Sequence, residues 1–159
     1  MGQVVASYGR RLGVSDTEHD TQLIAQTRLW VDRVVIKHNF CPFAQREVEA
    51  GRVCYRVAQS RGHRDTLNEL VALCEALLMG DPSADDYIET AFLLLPRDFE
   101  DFYLYLDFLD AANKRLQSQG WEGTLQLASF HPDYCFAGEP EGDAANYTNR
   151  SPHPMLHLI

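Results

Sequence analysis

From Thr17 the apolar positions recur at helical spacing, so Leu23, Thr27, Trp30, Val31, Val34 and His38 share one face of a predicted helix. Asn39-Phe40-Cys41-Pro42 interrupts it, because the residue before a proline is pushed out of helical geometry. A second short helix runs towards Gly51, and Arg52 to Ala58 alternates like a strand. Asp65 reads as the N-cap of a helix whose stripe is Leu67, Leu70, Val71, Cys74, Leu77 and Leu78, ended by Gly80-Asp81-Pro82. Tyr87 to Leu95 is a continuous apolar run, as in a strand buried on both faces. Pro96 closes that run. Asp98 then reads as the cap of a helix that turns Phe99, Phe102, Tyr103, Leu106, Leu109 and Leu116 inward. A third strand, Thr124 to Phe130, follows the turn at Gly120 and Gly123. The remainder is loop until Ser151-Pro152, which reads as N-cap and first residue of a last helix beginning near His153.

This order predicts a lead-in over 1–16 and one α/β domain over 17–159, with a small three-stranded, parallel sheet. So small a sheet leaves open edges, which the tail or a second copy in a homodimer would cover.

Composition narrows the function classes. With 45% hydrophobic residues there is ample material for one core, and the apolar content argues against disorder. A net charge of -9 and no run of Lys or Arg argue against nucleic acid and anionic membranes as partners. No apolar stretch approaches the roughly 20 residues that span a bilayer. The N-terminus lacks the apolar core of a signal peptide, so a cytoplasmic location is the expectation. Cysteines at 41, 54, 74 and 135 show no CxxC spacing, so reduced thiols are expected.

Chemistry-bearing residues concentrate around Cys41 and in the tail. His131 directly follows the third strand, where ligands of open α/β sheets bind. In extended backbone His131, Asp133 and Cys135 would face one way. Cys41, just before Pro42, reads as an N-cap, where a helix dipole would activate a thiolate. Its other reading is a small buried hydrophobe between Phe40 and Phe43. In Asn146-Tyr147-Thr148-Asn149-Arg150-Ser151-Pro152, Arg150 and the helix start would bind a carboxylate or phosphate; ordinary capping is the competing reading. His153 and His157, four apart, would share a helix face with spacing suited to a metal.

Three motifs in series, NFCPFA from Asn39, LQLASFHPDY from Leu125 and TNRSPHPMLHL from Thr148, resemble the family called domain of unknown function 1415. The resemblance runs from about Trp30 to the last residue and implies no established reaction. It implies Tyr as the usual residue at position 153 and Gln at 135. This leaves Cys41, His131, Asn146, Asn149, Arg150, Ser151 and His157 as the stronger site candidates. Phe40 to Arg46 is also similar to the active-site helix start of omega-class glutathione transferases and other thioredoxin-like proteins, where a strand precedes the cysteine; here the preceding segment has helical period.

Three functions stay open. One is a small enzyme with Cys41 as nucleophile and His131 as general base, its anionic substrate held by Asn146, Asn149, Arg150 and Ser151. The second is a protein binding zinc, iron or copper through Cys41, His131 and His157, with Asp133 as a further ligand. The third is a non-catalytic module that binds a small anion or a protein.

Overall fold

A computed structural model describes residues 17–159; the predicted lead-in over 1–16 lies outside the described residues. Helix α1, Glu18–Trp30, is capped by Thr17, whose side chain accepts from the Asp20 amide. It continues as a π-helical turn, Val31–Ile36, and the short helix α2, Ala44–Glu49, leads into strand β1, Val53–Val57. Helix α3, Gly62–Leu78, strand β2, Thr90–Leu94, helix α4, Phe102–Ser118, and strand β3, Leu127–Phe130, follow. A 3₁₀ turn, Ala144–Thr148, precedes strand β4, Met155–Leu158. Among the described residues no helix is long and apolar enough to cross a membrane.

The sheet is mixed and has four strands in the order β1-β2-β4-β3. β1 pairs with β2 in parallel, as expected, but β4 lies antiparallel between β2 and β3. The predicted last helix is therefore a central strand, and the three-stranded parallel sheet is corrected accordingly. The cause is local: Ser151 and His153 each precede a proline, and both are biased towards extended backbone. Leu95 N–H donates to the Pro154 carbonyl at 2.8 Å, which extends the pairing beyond the strand itself.

Alternation divides β4 between two cores. Leu156 and Leu158 join Leu70, Leu73, Leu93, Tyr105 and Phe108 under α3 and α4. Met155 joins Phe92, Leu94, Leu23 and Trp30 under α1. The Tyr105 hydroxyl bridges the two last strands: it donates to the Met155 carbonyl and accepts from the Phe130 amide, each at 2.9 Å. Burial pushes the ionisation of that phenol far up, so it works as a fixed donor.

Two helix starts differ from expectation. Asp101, not Asp98, caps α4 by accepting from the Tyr103 and Leu104 amides. Asp98 sits at φ 66, accepts instead from the Gly62 amide at 2.9 Å, and pairs with Arg61 at 3.3 Å. Helix α3 accordingly starts at Gly62 rather than at Asp65. Along α4 the buried stripe is Tyr105, Phe108, Ala112 and Leu116, which leaves Tyr103 77% exposed instead of inward.

Candidate functional site

His131 is fully buried in the bend after β3, on the α4 side of the sheet. Its ring lies 5.1 Å from those of both Phe102 and Tyr105. Nδ1 accepts the Asp133 amide at 3.0 Å, so Nε2 carries the hydrogen and donates to the Phe99 carbonyl at 3.0 Å. Both nitrogens thus serve the backbone, and no lone pair is left for a general base or a metal. The segment after it turns, with Tyr134 N–H donating to the His131 carbonyl at 3.1 Å, so His131, Asp133 and Cys135 do not project in a row. The Asp133 side chain is left at the exposed surface.

Cys41 lies in the link from the π-helical turn to α2. It is not the helix cap. Phe43 holds that position without a side-chain bond, and α2 spans only six residues. His131 follows β3, an edge strand, and faces the α4 side of the sheet.

His157, on β4, faces the α1 side. Its ring stacks on Phe92 at 4.1 Å, and Phe92 stacks in turn on Tyr55 at 5.4 Å. Nε2 lies 2.7 Å from the Thr90 hydroxyl, which itself donates to the Leu158 carbonyl. His157 and His131 therefore lie on opposite faces. Among the described residues no three His, Cys, Asp or Glu side chains gather as metal ligands do. The proposed set of Cys41, His131 and His157, with Asp133 added, is not assembled. A strand in place of the last helix also removes the shared helical face of His153 and His157; the His153 ring instead meets Gln26 of α1 at 2.7 Å.

The expected anion site is a backbone clamp. Arg150 donates from Nε to the Tyr134 carbonyl at 3.1 Å and from Nη2 to the Glu141 carbonyl at 2.7 Å, while its guanidinium lies 4.7 Å over the Tyr147 ring. Buried Asn146 accepts from the Phe136 amide and donates to the Pro140 and Glu141 carbonyls. Asn149 donates to the Ser129 carbonyl, and the Ser151 hydroxyl donates to that of His153. No helix begins at Ser151, so the expected cluster of unpaired amides is absent there. These residues do lie together in one loop, but their donors point at carbonyls rather than at a shared cavity.

What the clamp does assemble is a row of rings drawn from two segments. Tyr103 lies 6.2 Å from Phe102, Phe102 lies 5.4 Å from Tyr134, and Tyr134 lies 4.9 Å from Phe136. His131 supports Phe102 from inside, and Ser129 meets the Tyr134 hydroxyl at 3.1 Å. Sequence reasoning missed this grouping because α4 and the bend after β3 are distant along the chain. The only available signal was the aromatic content of each segment.

Two outcomes test these roles. His131→Ala removes two buried hydrogen bonds and a packed ring, so stability measured by urea unfolding falls by about 2–4 kcal/mol. An unchanged midpoint would mean that His131 is not structural. Burial pushes the His157 imidazole down to about 4 from an ordinary 6.5. The unfolded chain then binds the proton more readily. The stability contributed by neutral His157 is complete above pH 6.5 and is lost as pH falls towards 4, on the order of 3 kcal/mol in all. His157→Gln should flatten that part of the profile, whereas an NMR titration of His157 near its ordinary value would contradict it.

No curated protein and no solved structure matches the chain. The family model described as a protein of unknown function, DUF1415, matches residues 22–159, which takes in most of α1 and every later element through β4. The chain belongs to this family.

Proposed function

We propose that this chain is a protein-binding module whose recognition surface is the ring row Tyr103, Phe102, Tyr134 and Phe136. The supporting observation is that the row is held in place, with Tyr103 open to solvent and Phe102, Tyr134 and Phe136 half-exposed. Tyr103 is 77% exposed, and Tyr147 on the same clamped loop is 57% exposed. Large side chains left in water cost hydrophobic free energy, and rigid aromatic groups on a fixed backbone are what interface centres use. The loop polar groups support the same reading, because Asn146, Asn149 and Arg150 each already donate to backbone carbonyls. The test is selection of binding peptides from a random library, followed by measurement against Tyr103→Ala and Phe136→Ala. Binders should lose at least about tenfold in affinity on these substitutions. Binders that keep full affinity, or that map by NMR to α1 and α2, would defeat the proposal.

A second reading, thiol chemistry at Cys41, is favoured by one observation. Cys41 is half-exposed, and among the described residues its sulfur has no hydrogen bond. Cys74 is buried with its thiol pushed up to about 12, and burial also raises Cys54. Cys135 lies against the Phe136 and Glu139 carbonyls. Iodoacetamide should therefore label Cys41 ahead of Cys54 and Cys74 in the folded protein. A Cys41 that resists labelling until unfolding would end this reading.

A further inference from the structure

We infer that β1 is a dimerisation edge, which pairs antiparallel with β1 of a second copy of this chain about a two-fold axis at Tyr55. The Ala58 N–H donates to the Leu94 carbonyl at 2.9 Å, and the Arg52 carbonyl accepts from the Thr90 N–H at 3.3 Å, so the even-numbered residues of β1 bond to β2. The backbone groups of Val53, Tyr55 and Val57 therefore point away from the sheet. Among the described residues only Gln59 reaches this row, donating from Nε2 to the Val57 carbonyl at 3.1 Å. The opposite edge is closed. There Asn149 donates from Nδ2 to the Ser129 carbonyl at 2.9 Å, and its own carbonyl accepts from the His131 N–H at 3.2 Å. β1 has no such cover, no proline and no bulge in its register with β2. Its one charge, Arg56, is turned by alternation to the α3 side, where Glu69 attracts it.

A second copy suits this edge better than a lone peptide, because both faces of β1 need cover as well as its backbone. Val53 and Tyr55 are half-buried against the α1 core, and Cys54 is half-buried against the α3 core. A peptide strand brings hydrogen bonds but no layer on either face. A copy related by a two-fold axis normal to the sheet brings its α1 beside α1 and its α3 beside α3. A five-residue edge alone supplies only part of the roughly 800 Å² per partner that a stable dimer buries. Helix α1 adds to it, because it lies over β1 and holds Arg28 4.9 Å above the Tyr55 ring. Charge sets the register. Centred on Tyr55, Val53 meets Val57 of the second copy and Arg56 meets Cys54. Centred on Cys54, Arg52 would meet Arg56, and centred on Arg56 the two arginines would meet each other. The ring row follows β3, at the far edge of the sheet, so this pairing leaves the row open in both copies.

The experiment combines sedimentation of the full chain with amide hydrogen exchange read by NMR, over about a hundredfold range of concentration. The chain should be a dimer at the upper end. The Cys54 and Arg56 amides, bonded to β2, should be protected throughout, whereas those of Val53 and Tyr55 should gain at least about tenfold protection as the dimer forms. Val53→Lys sets a charge opposite Val57 of the second copy. It should weaken dimerisation at least about tenfold while Cys54 and Arg56 stay protected, which shows that the sheet is intact. A chain that is monomeric at every concentration overturns the inference. So does a dimer in which Val53 and Tyr55 exchange as fast as in the monomer, or one that Val53→Lys leaves unweakened. A monomer in which those two amides are already protected would mean that the same chain covers the edge, and it too overturns the inference.

Discussion

The last strand fixes more of this architecture than any other element. β2 pairs with β1 on one side and would leave its other edge open; β3, reached through α4, does not fill the gap. β4 fills it from the tail, pairing with β2 and β3 at once. It buries Met155, Leu156 and Leu158 completely and so contributes to both cores. It also closes the chain between His131 and Pro154 into a loop anchored at each end. A loop of that length lying over packed structure has many backbone groups to satisfy, and unsatisfied buried polar groups are costly. Asn146, Asn149, Arg150, Ser151 and His131 meet that demand. The polar residues most suggestive of chemistry in the sequence are thus consumed by the closure that β4 imposes.

The helices and the first two strands were legible because their signals are local. The stripe from Leu23 to Val31 and the apolar run through Leu95 each act within a few residues. The tail was not legible. Ser151-Pro152 resembles a helix start, and His153 with His157 fits a helical face, but two pre-proline residues and a vacant sheet position outweighed both. The phase of α4 shifted for a related reason. Its cap lies at Asp101 instead of Asp98, which turns Tyr105 and Phe108 into the core and Tyr103 out.

For the candidate site, the membership of the tail cluster was legible but its role was not. Residue type shows that Arg150 carries donors. Only the fold shows that those donors face the carbonyls of Tyr134 and Glu141. Alternation in β3 turns Phe130 to the α1 side and therefore His131 to the other, away from His157. These two imidazoles, which suit each other as ligands, are kept apart by the sheet between them. The rings at Phe102, Tyr103, Tyr134 and Phe136 are the converse case: ordinary apolar residues in sequence, brought together by the same closure.

The most direct test of this account is amide hydrogen exchange along Met155–Leu158. A central strand bonded on both edges should be protected about as strongly as Phe92–Leu94 of β2. Exchange as fast as in the exposed loop around Gly142 would mean that the tail does not enter the sheet, and the clamp and ring row built upon it would go with it.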